Sequence, residues 1–336
     1  MATAIAVFAA SSNRGCATAA FARPPVARRD NSRLGIERFC TIPSPAPNRR
    51  VLARASRPLT SAHRWHTIGA SSQRATSSAK EPEVKIAIAG GTGTVGRHVT
   101  DLVRQRGHES VVLARSAGHD LTTATGLADA LSGVDVVIDV LNTPTLGAAA
   151  STRFFDATTA ALLDARVVAG VRHHVALSIV NATRVAAGYY AGKVAQESRV
   201  RAGTVPWTIL RATQFHEFAA QTLGRGSLKV AALVPVMRTQ PVAAREVAER
   251  LVELAVGSPR GQAADLGGPR EEQLIDIVRA YAQATRTRRP LVQIRLPGRM
   301  GAAMRAGALL PAAGTERGRQ TFAQWLASEV PGGSAG

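Results

Sequence analysis

Seven residues, Gly90-Gly91-Thr92-Gly93-Thr94-Val95-Gly96, can do chemistry here through what they lack. Gly91, Gly93 and Gly96 fit the spacing G-x-G-x-x-G, and Gly90, Gly93 and Gly96 equally fit G-x-x-G-x-x-G. A Cβ at these glycines would hold a pyrophosphate away from backbone N–H groups and from the N-terminus of the helix that follows, both of which attract an anion. The context is the required one: Val84–Ala89 reads as a short buried parallel strand, and a helical pattern takes over from Arg97 to Arg106. The spacing therefore points to a dinucleotide. A second strand, Ser110–Ala114, ends in Arg115-Ser116, where NAD-selective proteins place an acid on the ribose 2′-hydroxyl. Arg115 would instead attract a 2′-phosphate, with Arg97 as helper, which favours NADP(H) and leaves NAD(H) open. The plainer alternative is a surface arginine in an arginine-rich chain. Asp120-Leu121 resembles the pair that flanks the adenine after a short third strand, and Asn142 follows the strand Val134–Val140 at the end where such sheets bind ligands.

Tyr189 and Lys193, four apart at the start of a helix, share one face. In that arrangement a lysine ammonium lowers the tyrosine pKa from ~10 and grips the nicotinamide ribose, while the tyrosine protonates a substrate oxygen as hydride arrives. Ser178, at the end of the preceding strand, is placed to hydrogen-bond the same oxygen; Tyr190 is the alternative acid, and two tyrosines packing at a helix start is the plain alternative. Residues 84–336 hold three lysines against 26 arginines. A lysine at 193 thus suggests a need for a compact, tunable amine.

Three segments carry a resemblance: KIAIAGGTGTVGRHV from Lys85, SIVNATRVAAGYYAGKVAQE from Ser178 and PWTILRATQFHEF from Pro206. Over about residues 84–285 the chain resembles the atypical short-chain dehydrogenases of the NmrA-like, isoflavone-reductase-like group, in the style of bacterial NAD(P)H-binding oxidoreductases. The resemblance implies an α/β fold, a Rossmann-type doubly wound parallel sheet with a small C-terminal substrate-binding lobe. It also implies that Gln214, Phe215 and His216 lie beside the nicotinamide or the substrate, with Phe215 a pocket wall or a piece of core packing and His216 an acid, a base, a wall or a helix-start hydrogen bonder. It implies no substrate, because the group mixes reductases with non-catalytic redox sensors, which usually lack the tyrosine and lysine; isoflavone-reductase relatives keep only the lysine.

The elements needed to position these residues are legible. Ala148–Val171 carries a helical pattern, His173–Val180 reads as a strand, Tyr190–Arg201 as a helix, Pro206–Leu210 as a strand and Thr213–Gln221 as helix again. Such alternation argues for a parallel α/β sheet. Helices at Ala243–Val256 and Glu271–Ala284, with strands near Gln262–Leu266 and Leu291–Leu296, are expected to form the smaller lobe, so the division is 84–230 for the cofactor domain and 231–330 for a lobe interleaved with the sheet. His173 and His174 open a strand and receive no role; Pro331–Gly336 reads as a loose tail.

Composition narrows the functions further. The chain has 42 Lys plus Arg against 23 Asp plus Glu, but about +9 of the net charge lies in residues 1–83 and about +10 is spread thinly over the rest. With no zinc-finger spacing, no RNA-binding aromatic signature and no basic stripe, no nucleic-acid partner is expected. Both cysteines, Cys16 and Cys40, lie in the first 83 residues, so no later thiol can serve a disulfide, a metal or nucleophilic attack, which suits a reducing compartment. Apolar runs such as Val134–Leu141 fall far short of the ~20 residues that span a bilayer, so no membrane is expected. A small-molecule substrate remains as partner, with a homodimer left open.

Residues 1–83 are rich in Arg, Ser, Ala and Pro and cannot bury a core. Three readings stand: sequence upstream of the true start, a transit peptide, or a real disordered extension. The first two place the protein in the cytoplasm or in a plastid or mitochondrion respectively, and codons other than AAG-GAG at Lys80-Glu81 and GTG at Val84 would exclude the first. Deleting residues 1–83 is expected to leave thermal stability and cofactor affinity unchanged in a melting curve and a nucleotide titration; failure to fold would move the domain boundary. The function expected is hydride transfer from NAD(P)H to a small carbonyl, quinone or enone, with a non-catalytic sensor as the alternative and an epimerase-like or assembly protein as a weaker third.

Overall fold

The computed structural model of the chain describes residues 83–225 and 231–330. The leader up to residue 82 and the tail Pro331–Gly336 lie outside the described residues.

The central strands of a sheet form where residues are buried on both faces and mostly apolar. β1 (Lys85–Ala89) turns Ile86 and Ile88 to one side and Ala87 and Ala89 to the other, all fully buried. It leads into α1 (Thr94–Gln105), whose Val95, Val99, Leu102 and Val103 make the buried stripe. β2 (Glu109–Leu113) pairs with one side of β1. After the one-turn α2 (Leu127–Ala130), β3 (Val136–Asp139) pairs with the other side of β1. The 21-residue α3 (Ala148–Val168) then crosses to β4 (His173–Ile179), and α4 (Ala182–Val185) and α5 (Tyr189–Ala202) cross to β5 (Trp207–Ala212). No strand forms between β2 and β3, so the short third strand expected before Asp120 is replaced by a 3₁₀ turn at Arg115–Ala117 and irregular chain.

Beyond β5 the helix expected from Thr213 begins only at α6 (Phe218–Arg225), since Gln214–His216 is held extended against Val242 by backbone hydrogen bonds. The chain continues through β6 (Ala232–Pro235), β7 (Arg238–Thr239), α7 (Ala244–Val256), β8 (Gly261–Gln262), β9 (Leu266–Gly267) and β10 (Glu272–Gln273). α8 (Leu274–Ala284), β11 (Leu291–Ile294), α9 (Gly298–Arg305), β12 (Glu316–Arg317) and α10 (Phe322–Glu329) complete it. The sheet is parallel throughout, in the order β12-β9-β5-β4-β3-β1-β2 with β8 also on β5. This is a Rossmann-type α/β fold.

Helices α1 and α7 cover one face through Val99, Val103, Val247 and Leu251, and α3 covers the other with Leu162 and Ala165. The helix expected in the lobe, Ala243–Val256, therefore belongs to the sheet: its buried side packs on α1, β3 and β4, and β8, β9 and β12 extend the sheet itself. What stands apart is a third apolar cluster, in which Tyr190, Met237, Val278, Phe322 and Trp325 join α5, α8 and α10. Around it lie the small β6–β11 and β7–β10 pairs. No helix among the described residues is long and apolar enough to cross a membrane.

Candidate functional site

Because β2 and β3 lie on opposite sides of β1, the winding reverses there, and a crevice opens at the C-terminal ends of β1 and β3. The glycine turn occupies that position. Gly90 has φ +86°, which a side chain resists, and a Cβ on it would sit 3.1 Å from Val140 O, so turn and crevice wall touch. A Cβ on Gly96 would lie 2.1 Å from Gly90 O, an impossible approach, whereas one on Gly93 would meet only Gly90 O at 3.2 Å. Thr92, Gly93 and Arg97 are exposed and Thr94 is half-buried, while Gly91 and Val95 are buried in the packing. Gly93 is the N-cap of α1, and the N–H groups of the first helical turn have no intrahelical partners. Room at Gly93 and unpaired donors behind it suit a pyrophosphate.

At the other end of the cofactor path, Arg115 is exposed just beyond β2. Asp120 is exposed nearby; the Thr122 backbone N–H and hydroxyl hold its carboxyl below the usual range, and the Arg115 charge adds to this. Leu121 is buried under β2 with Leu113 and Leu127, leaving only its backbone for an adenine.

The tyrosine and lysine reach the same crevice. Gly188, at φ +55°, turns the chain into α5, and Ser151 on α3 fixes the first turn by donating its hydroxyl to Tyr189 O at 2.8 Å. The Tyr189 hydroxyl donates to Asn142 Oδ1 at 2.7 Å, at the exposed end of β3. Lys193 is buried and donates to Leu177 O at 2.9 Å, Gln196 Oε1 at 2.8 Å and Leu141 O at 3.4 Å, with its Nζ 4.4 Å from the centre of the Phe155 ring. The two side chains thus share a helix face but take separate partners. The expected lowering of the tyrosine pKa by the lysine is not found: burial, and then Tyr190, push the Tyr189 hydroxyl up. Burial pulls the ammonium down to about 8, against the pull of Asp139 and Glu197. Tyr190 points elsewhere: it is buried in the third apolar cluster and pushed up to about 12 by burial, with Gln214 as hydrogen-bond partner.

Ser178 is buried on β4 beside the Glu197 carboxylate, which Arg211 grips with two bonds of 2.8 and 2.6 Å. The structure shows no bond from Ser178 toward Tyr189. Phe215 is half-buried against the α1–α7 core. His216 is fully buried, its Nε2 3.0 Å from Gln320 O and its ring against Phe322 and Trp325 of α10. Burial lowers it to about 4. A neutral ring locked in apolar packing is a structural post rather than an acid or base facing a substrate.

The sequence reading missed the polar cluster beneath Lys193. Asp139 is fully buried at the end of β3, with Gln196, His174 and Arg166 around it. The available signal was an aspartate inside an otherwise apolar strand, a costly residue unless partnered.

The NAD(P)H-binding family model matches residues 90–256. Among solved structures, a short-chain dehydrogenase/reductase superfamily protein of Agrobacterium tumefaciens with bound NAD superposes with a TM-score of 0.53 at 18% identity, over 73% of this chain and 95% of that one. A UDP-glucose 4-epimerase of Bifidobacterium longum, in complex with NAD+ and UDP, gives 0.56 at 14% identity, over 73% and 96%. An NADPH-dependent quinone oxidoreductase of Escherichia coli gives 0.53 at 14%, over 72% and 98%. No curated protein matches the chain.

Proposed function

We propose, from the premise that residues 90–256 of this chain form an NAD(P)H-binding domain on the fold of the atypical short-chain dehydrogenases, that the protein is an NADPH-dependent reductase of a small carbonyl, quinone or enone. The carrying observation is convergence on three residues: Val140 O backs the glycine turn, Leu141 O accepts from Lys193, and Asn142 accepts from Tyr189. A nucleotide lying along the turn would bring its nicotinamide end to the tyrosine and lysine.

Bound there, NADPH supplies the hydride. The first turn of α1 would hold the pyrophosphate, Arg115 the 2′-phosphate and Lys193 the ribose, the last by giving up its long bond to Leu141 O. Tyr189, whose raised pKa keeps its hydroxyl protonated, would give that proton to the substrate oxygen as the carbonyl carbon, or in an enone the far carbon of the conjugated system, accepts the hydride. Incubating the NADPH-loaded full chain with quinones and aldehydes and following loss of nicotinamide absorbance tests this; no turnover with any of them would favour the second reading. That reading is a sensor that binds the cofactor without turnover, and one observation favours it: all three Lys193 hydrogens already have partners inside the protein.

Cofactor choice rests on Arg115. Replacing it by aspartate turns an attraction for the 2′-phosphate into a repulsion, and a charge-assisted phosphate contact is worth about 1.5–3 kcal/mol. Arg115→Asp is expected to weaken NADPH at least about tenfold relative to NADH in paired titrations. A wild-type preference for NADH would make Arg115 a surface residue only.

A further inference from the structure

Asp139 ends the apolar strand β3 with no exposure to solvent, and such a carboxylate persists only when its oxygens are engaged. Both are. Oδ1 accepts the Leu141 backbone N–H at 3.0 Å, and Oδ2 accepts Gln196 Nε2 at 2.7 Å. Gln196, equally buried, has its other amide atom committed as well: Oε1 accepts from Lys193 Nζ at 2.8 Å. The chain of bonds therefore has one polarity, from ammonium to amide oxygen and from amide N–H to carboxylate.

We propose that Asp139 and Gln196 are positioning residues for Lys193, the carboxylate fixing the Gln196 amide so that its oxygen, not its nitrogen, faces the ammonium. The proposal deepens the reductase reading and rests on it for the importance of Lys193. An uncharged amide at 139 cannot replace the carboxylate. Asparagine has one acceptor oxygen, so either Leu141 N–H or Gln196 Nε2 would face an NH₂ group. Losing the first frees the Leu141–Asn142 segment that holds Tyr189; losing the second lets Gln196 flip and present a donor to the ammonium. Burial raises the Asp139 carboxyl and the charge of Arg166 on α3 works against that rise, while His174 on β4 lies 4.0 Å away with its ring pulled well below the usual range by burial. Asp139 on β3 and Glu197 on α5 are the charges that favour the Lys193 ammonium against burial, and Tyr189 on α5 is a further titratable group beside it.

The test uses the full chain labelled with ¹³C-lysine, which has four lysines, Lys80, Lys85, Lys193 and Lys229, so the Lys193 signal is assigned by its loss in Lys193→Met. Wild-type Lys193 is expected to titrate near about 8. Asp139→Asn removes an opposite charge and Gln196→Met removes an acceptor from the ammonium while conserving volume. Each is expected to lower the Lys193 midpoint by about one pH unit or more. Midpoints unchanged in both variants would overturn the proposal, as would an unchanged midpoint in Gln196→Met alone should Asp139→Asn fail to fold. The readout needs no turnover: an absence of NADPH binding to the wild type would defeat the reductase reading and leave the lysine titration to be judged separately.

Discussion

Lys193→Ala is expected to lower turnover at least about a hundredfold with nucleotide still bound, in keeping with the range for loss of a group that assists proton transfer. The ammonium is the one cation that α5 delivers to the carbonyl oxygens at the ends of β3 and β4, Leu141 O and Leu177 O. Because truncation to alanine also removes the buried apolar stem, Lys193→Met, which keeps most of that volume, should reproduce the loss and exclude a packing artefact. Tyr189→Phe should cost nearly as much, since it removes only the hydroxyl now donated to Asn142. A pH profile adds a sign. Burial places the ammonium at about 8, so it is charged below that value and lost above it, and turnover should fall as pH rises through about 8. Steady-state rates on a reducible quinone or aldehyde check all of this, and full activity in both Lys193→Ala and Tyr189→Phe would move the chemistry elsewhere.

Gly93→Ala is expected to weaken nucleotide binding about tenfold to a hundredfold or more, with the fold intact. The added methyl meets one protein atom, Gly90 O at 3.2 Å, so the protein can accept it; the crevice side of the turn, where the pyrophosphate would sit, cannot. Displacing the phosphate from even one or two backbone donors forfeits about 1.5–3 kcal/mol each. Gly96 behaves differently. Its Cβ would lie 2.1 Å from Gly90 O, so Gly96→Val is a folding lesion, expected to cost roughly 1–3 kcal/mol or more, and its loss of binding says nothing about the pyrophosphate. Thermal melts beside nucleotide titrations separate the two: an unchanged melting temperature and unchanged affinity in Gly93→Ala would remove the turn from the site.

The parts of this architecture that repeat every two or every 3.6 residues were legible from the chain alone. Ile86 and Ile88 against Ala87 and Ala89, and Val95, Val99 and Val103 on the helix behind them, announce strand, turn and helix in order, and the glycines announce why the turn is tight. Periodicity does not say which layer a helix joins. The stripe Val247, Leu251, Leu254 is equally good for a lobe or a sheet, and only the packing on α1 puts α7 on the sheet. Nor does spacing say which way a side chain turns. Tyr189 and Lys193 share a face as read, yet the lysine is drawn inward by Leu177 O and Gln196 while the tyrosine reaches outward to Asn142. His216 stood in a suggestive segment, but its surroundings include Phe322 and Trp325, about a hundred residues later, and long-range partners of that kind leave no local trace. Asp139 did leave one, an acid in a buried strand, whose meaning depends on Gln196, 57 residues later on α5, and on Arg166 of α3.

The central claim is that the turn from Gly90 to Gly96 holds a nicotinamide dinucleotide, and one fluorescence titration of the full chain with NADPH and with NADH addresses it. The expected result is saturable binding at one site per chain, tighter for NADPH and weakened in Gly93→Ala at an unchanged melting temperature. No saturable binding of either nucleotide, or binding that Gly93→Ala leaves untouched, would contradict it.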